Sequence, residues 1–161
     1  MPTPYEEIKN AIRAYGAAAF QNLLRSRALA EAVIAGFHVY LGCEPEKVAG
    51  VPAQGPFDPR EPYGEKAFSF FGREVIVLEP VSFGISLIVG NLEDSGALWL
   101  RTAVAVEIAG DQFAVFVGAQ PELRIPLDFD GRLEPVFRAL HRELLDTFEI
   151  ETLEFEDQRF K

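Results

Sequence analysis

Few side chains in this sequence have the reactivity that catalysis or transition-metal binding requires. The 161 residues include two histidines and a single cysteine. His38 and Cys43 are spaced so that they fall on different faces of a helix, which argues against a cysteine–histidine pair. His141 lies at the margin of an apolar helical stripe, and the sequence shows no partner that would orient it as a base. We predict no catalytic residue and regard His38 and His141 as polar participants, each donating to a backbone carbonyl.

Carboxylates occur in two arrangements that resemble functional sites. Glu107 shares a strand face with Arg101, which would make either an acid with an anchoring base or an ordinary solvated pair. Asp128 and Asp130 alternate before a glycine, as in a calcium loop, but the later bidentate glutamate is missing at the right distance. A turn in which aspartates bond to their own backbone explains the same residues. Since no phosphate-binding glycine loop occurs either, the sequence predicts no metal and no cofactor.

Bulk composition narrows the classes of partner. The formal charge of −10 repels phosphate backbones, so we expect no nucleic-acid partner. The most apolar windows, residues 33–41 and 85–89, are too short to span a bilayer, so we expect no membrane partner. The first ten residues lack the positive start and apolar run of a secretory signal, which favours a cytoplasmic location. Apolar residues make up 48% of the chain and include 14 phenylalanines, so a phenylalanine-rich core is expected.

The stretch Ala97–Gly110 has the alternation of a central strand in an antiparallel sheet. One face is bulky and carries Leu98, Leu100, Thr102, Val104, Val106 and Ile108. The second face is small or polar and carries Trp99, Arg101, Ala103, Ala105 and Glu107. Ser86 lies on the small side of the preceding predicted strand. We predict that Ser86 and the second face form a ligand-binding or partner-binding surface. The periodicity leaves open which face is buried.

Helices are predicted at both ends of the chain. Thr3, Pro4 and Glu6 have the spacing of a capping box, and apolar residues recur at helical spacing from there onward. With Ser26 as a second cap, we predict a helical pair over 4–24 and 27–42, against a single long bent helix as the competing interpretation. The pattern near the end predicts an amphipathic helix over 132–148, packed on one face of the sheet. An acidic tail, 149–161, would follow as an edge strand or a docking segment.

Residues 44–64 hold five of the 11 prolines and are predicted to form an irregular loop, either a lid or a passive strap. Residues 66–127 are predicted to form an antiparallel meander of about six strands. The first two would be Phe68–Phe71 and Glu74–Glu79, joined by a hairpin at Gly72, and Asn91–Gly96 would form a later turn. The whole chain, 1–161, is predicted to be a single α+β domain.

The predicted order of elements resembles the helix-grip lipid-binding folds, although those begin with a strand that this sequence lacks. The first functional hypothesis is a non-enzymatic binding or protein-interaction module, a homodimer joined through the sheet face or an edge strand. The alternative is a carrier of a small apolar ligand, held between sheet and helices with 44–64 as a lid. The third hypothesis is an enzyme that uses His141, or Glu107 with Arg101.

Overall fold

The computed structural model of the protein describes residues 1–90 and 98–159 and has an α+β architecture. The elements, in chain order, are helix α1 (Pro4–Leu41), strands β1 (Val48–Val51), β2 (Val81–Val89), β3 (Leu98–Ala109), β4 (Gln112–Val117) and β5 (Leu123–Pro126), and helix α2 (Glu134–Arg159). Short 3₁₀ turns occur at Pro45–Lys47 and Gly64–Ala67. The strands form one antiparallel sheet in the order β1-β2-β3-β4-β5, which is the predicted meander.

The bulky face of the sheet is the buried one. In register, Phe83 lies opposite Val104, and Val106 lies opposite Val115, so large apolar side chains of neighbouring strands meet on one side. Helix α1 contacts β1, β2 and β3 on this side, while α2 contacts β3 and β4. The core therefore lies between one sheet face and two helices, and the prediction that α2 packs on one face of the sheet is confirmed.

Helix α1 is one continuous element. The predicted helical pair over 4–24 and 27–42 is therefore wrong, and the chain forms the single long helix of the competing interpretation. Its capping box is formed, with Glu6 N–H donating to the Thr3 hydroxyl at 3.2 Å. Ser26 is not a cap: it is fully buried, and its hydroxyl donates to Asn22 Oδ1 at 3.3 Å. Because that hydroxyl is satisfied within the helix and no proline interrupts it, the chain stays helical up to Gly42, whose φ of 75° ends it.

The sheet has five strands rather than about six, because two segments were assigned incorrectly from the sequence. Residues 69–72 form consecutive turns, in which Phe71 N–H bonds to Phe68 O and Arg73 N–H bonds to Phe70 O, and residues 73–79 are irregular. Gly72 has a positive φ of 77°, but it closes one of these turns instead of a hairpin. Conversely, β1 lies inside the proline-rich stretch, because its four residues fall between the prolines and keep every donor that the ladder needs.

Helix α2 is longer than predicted. It begins at Glu134, with Pro135 in the first turn as expected, but it continues to Arg159 instead of ending at residue 148. Most of the predicted tail is therefore helical, and neither an edge strand nor an extended tail forms over 149–159. The predicted turn Asn91–Gly96 and the last two residues of the chain lie outside the described ranges.

Candidate functional site

Two residues of the predicted second-face surface hold the proline-rich segment against the sheet. Ser86 is fully buried, and its hydroxyl donates to the Ala49 carbonyl across the β1–β2 pair at 3.2 Å. The Arg101 guanidinium donates to the Pro52 carbonyl at 3.0 Å and lies 4.4 Å from the centre of the Phe57 ring. Both side chains therefore have structural partners within the chain.

Trp99 is covered on one face by the same segment. The Arg60 guanidinium lies 5.3 Å from the centre of the indole ring and forms an ion pair with Asp58 at 2.8 Å. This hydrogen-bonded pair lowers the pKa of Asp58 from its ordinary 3.8 to about 2. The proline-rich segment is therefore fastened to the second face by two cation–π contacts, one at Trp99 and one at Arg101.

The remaining predicted residues lie on the uncovered half of the second face. Ala103 is exposed, Ala105 and Glu107 are half-buried, and the large neighbour Phe116 is exposed. Glu107 and Arg101 lie on the same face but about 20 Å apart along the strand, because each residue advances the chain by roughly 3.3 Å. That separation is too large for an acid and its anchoring base, so the structure does not bring this predicted pair together.

Neither histidine lies in a reactive group. His38 Nδ1 lies 3.2 Å from the carbonyl oxygen of Cys43, which is the backbone contact expected of an ordinary histidine. Burial raises the pKa of the Cys43 thiol, and Glu44 adds to the shift, so the thiolate is disfavoured. His141 is exposed and meets the edge of the Tyr40 ring, with centroids 6.1 Å apart. Within residues 1–90 and 98–149, no three histidine, cysteine or acidic side chains converge in a way that could hold a metal ion.

A larger uncovered apolar surface lies on the first half of α1. Every residue from Pro4 to Ala18 is exposed, and this part of the helix is called the arm below. From Ala19 onward the same helical stripe is buried against the sheet. The arm stripe consists of four large residues, whose exposed fractions are 75% for Tyr5, 62% for Ile8, 67% for Ile12 and 48% for Tyr15.

The segment between the 3₁₀ turn Gly64–Ala67 and β2 extends this apolar surface. The Leu78 N–H donates to the Tyr15 hydroxyl at 2.9 Å, which joins the segment to the base of the arm. Val75, Ile76 and Leu78 are all exposed. The arm stripe and these three residues are together called the arm surface. Sequence periodicity identified the stripe, but it could not show that the sheet stops at Ala19, because burial depends on where the partner element ends.

Beside the arm surface lies a cleft of about 200 Å³ between α1 and residues 69–81. Leu23, Phe70 and Val81 supply apolar walls, and the Arg73–Glu79 ion pair, 2.9 Å long, closes one side. The cleft is smaller than the roughly 300–1,000 Å³ typical of ligand sites. Residues 44–64, the predicted lid of a ligand site, do not line this cleft.

No helix in the described part of the chain combines the length and the apolar character needed to cross a bilayer. Comparison with known proteins gives no match, whether by protein family, by curated relative or by solved structure.

Proposed function

We propose that the protein is a non-enzymatic protein-interaction module that binds its partner through the arm surface. The observation that carries this proposal is the change in environment along one helical stripe, which is buried from Ala19 to Phe37 and exposed from Tyr5 to Tyr15. A contiguous exposed patch of large apolar side chains is typical of interaction sites. An isolated helix of the arm's length is also marginal in water, and packing against a partner would stabilise it.

The arrangement of polar groups favours binding over catalysis. The Arg101 guanidinium donates to the Pro52 carbonyl and lies over the Phe57 ring. Glu107 lies about 20 Å from Arg101 along β3. His141 is exposed on α2 and contacts an aromatic ring. An acid, a base and an orienting group must lie within hydrogen-bond reach of one another to catalyse, and these groups do not.

The proposal includes the homodimer and the cytoplasmic location predicted from the sequence, but it assigns the contact to the arm surface. The sheet face is a weaker candidate, since the proline-rich segment covers part of it and the uncovered part presents mainly Ala103, Ala105 and Phe116. An interface gains most from large side chains that become fully desolvated, and the arm surface has more of them.

The test introduces charge into the stripe and compares it with the same charge on the opposite side of the arm. The double variant Ile8→Asp/Ile12→Asp should lose binding, while Asn10→Asp/Ala14→Asp, which adds the same two charges on the outer side, should retain it. Light scattering coupled to size exclusion measures self-association, and pull-down from cell extract measures other partners. A wild-type chain that is strictly monomeric at high concentration and recovers no partner would contradict the proposal.

A second candidate function, the carrier of a small apolar ligand, is favoured by the cleft between α1 and residues 69–81. Its walls are mostly apolar, and its volume of about 200 Å³ would hold a ligand of only a few carbon atoms. Native mass spectrometry of the freshly purified protein tests this candidate, because a retained ligand would add a discrete mass. A Leu23→Phe variant, which would fill the cleft, should lose that mass.

A further inference from the structure

We infer that the partner on the arm surface is a second copy of this chain, whose arm lies antiparallel to the first. In this arrangement Tyr5 lies opposite the partner's Tyr15, and Ile8 lies opposite the partner's Ile12. The inference rests on the proposed function, since it names the partner that the arm surface binds.

The spacing of the stripe is that of a helix-packing seam. Its members alternate steps of three and four residues along the whole helix, namely Tyr5, Ile8, Ile12, Tyr15, Ala19, Asn22, Ser26, Leu29 and Val33. Residues with this spacing stay on one side of the helix, so they can contact one facing element along its whole length. From Ala19 onward the facing element is the sheet. Over the arm every residue is exposed, and at its base the Tyr15 hydroxyl accepts a hydrogen bond from the Leu78 N–H.

A second arm fits this seam in the antiparallel direction because the stripe has the same residue types and the same spacing from either end. Two-fold symmetry about a point near Asn10 places each aromatic residue of one arm against an aromatic residue of the other, and each isoleucine against an isoleucine. The flank next to the seam carries Ala11 and Ala18, whose small side chains let two helices approach closely. A parallel pair would instead put the exposed N-termini, and the like charges of Glu6 and Glu7, side by side.

The charges nearest the two-fold axis are the two Lys9 side chains, which fall on one flank of the seam. Lys9 is exposed, so the ammonium groups reach solvent and their repulsion is small.

The area available is sufficient for a stable dimer. The partner's Tyr5, seated over Tyr15, would also reach the segment that contains Val75, Ile76 and Leu78. The arm surface has seven large apolar side chains per copy, all exposed in the single chain. If each loses about 100 Å² on association, two copies bury roughly 1,400 Å² in total, which is within the range of specific interfaces.

Cysteine crosslinking tests the direction of the arms directly. In a Cys43→Ser background, Tyr5→Cys and Tyr15→Cys chains are prepared separately and then mixed under mild oxidation. Antiparallel arms should give a disulfide-linked dimer in the mixture and none from either chain alone, since positions 5 and 5 of two copies would lie about 15 Å apart. Crosslinking of Tyr5→Cys with itself would indicate parallel arms and overturn the inference.

These outcomes separate the inference from the proposed function. A monomeric wild-type chain overturns the inference. If Ile8→Asp/Ile12→Asp then still abolishes the recovery of another protein while its outer-side control does not, the proposed function stands with a different partner. If neither variant changes any binding, both fail. Far-UV circular dichroism on each variant confirms that the fold is retained.

Discussion

Asn22 is the polar residue that ties α1 to one end of the sheet. Its side-chain amide donates to the Glu79 carbonyl at 2.8 Å, and its oxygen accepts from the Ile108 N–H, also at 2.8 Å. It is almost fully buried, and it receives a further hydrogen bond from Ser26. One amide therefore satisfies backbone groups at the start of β2 and the end of β3, which the sheet itself leaves unpaired.

We expect Asn22→Ala to destabilise the protein by roughly 2–4 kcal/mol, because it leaves a donor and an acceptor of the backbone unsatisfied in a buried place. Ser26→Ala is the matched control on the same stripe. It removes only the 3.3 Å hydrogen bond to Asn22 and should cost about 1 kcal/mol or less. Urea unfolding at a fixed protein concentration measures both. Equal losses would show that Asn22 has no special role as a link.

The ion pair of Asp58 with Arg60 makes the covering of Trp99 dependent on pH. Because the folded state lowers the pKa of Asp58 from 3.8 to about 2, the pair is complete above pH 3.8 and is lost as the pH falls through about 2. Trp99 is the only tryptophan, and the Arg60 guanidinium lies over its ring. Its emission should therefore stay constant from neutral pH to about pH 3 and change with a midpoint near pH 2.

The control for this titration is Asp58→Asn, which removes the carboxylate while keeping the size of the side chain. Its emission at neutral pH should already resemble that of the acidified wild type, and the step near pH 2 should be missing. Circular dichroism over the same range shows whether the helices persist. An unchanged step in the variant would mean that another group controls the environment of Trp99.

At the scale of elements, two glycines in α1 should respond in opposite ways to the same substitution. A Cβ atom at Gly16 would meet nothing within 4 Å, so Gly16→Ala should stabilise the helix by about 0.5–1 kcal/mol. A Cβ atom at Gly36 would lie 2.9 Å from the tip of the Phe137 ring. That ring stacks on Phe37 at 6.0 Å and lies against Tyr40, which restricts its ability to move away.

We therefore expect Gly36→Ala to be less stable than Gly16→Ala by about 1–2 kcal/mol, since overpacking opposes the gain in helix propensity. Thermal unfolding of the two variants under identical conditions makes the comparison. If both variants gained equally, the contact between α1 and α2 at Phe137 would be looser than the structure has it.

The elements that could be predicted from the sequence are those whose local signals and tertiary context agree. Strands β2 to β5 follow from alternation and tight turns, and α1 begins at the capping box of Thr3. The errors arose where a local signal was overridden. Ser26 has the chemistry of a cap but is buried in mid-helix, and Gly72 turns the chain without making a hairpin. Strand β1 was missed because the prolines around it dominate the composition, although none lies within it.

The two faces of β3 could be predicted from the sequence, but the segments that cover or expose the candidate surfaces could not. Alternation correctly separated the two faces of β3, and the bulky face is the buried one. The covering of Trp99 and Arg101 by a segment some 40 residues earlier in the chain depends on long-range packing, which periodicity does not encode. The arm stripe was visible as a helical pattern, but its exposure follows from the length of the sheet, a property of the whole molecule.

At the scale of the whole molecule, the exposed arm couples helix stability to association. The arm is about 22 Å long and has few tertiary contacts of its own, so in a single chain it should open readily. In the antiparallel dimer its seam is buried, and opening then requires dissociation. Amide hydrogen exchange over residues 8–18 should therefore slow as the protein concentration rises through the dissociation constant.

Residues 26–37 of the same helix provide the internal control for this exchange measurement. They are packed on the sheet in every copy, so their protection should be the same at low and high concentration. The Ile8→Asp/Ile12→Asp chain should show fast exchange in the arm at all concentrations, because it lacks the interface. The contrary result is strong protection of the wild-type arm from exchange that does not change with concentration. That result would mean that the arm is stably helical in the single chain. The exposed stripe would then need no second copy to stay helical, and the physical case for the dimer would rest on crosslinking alone.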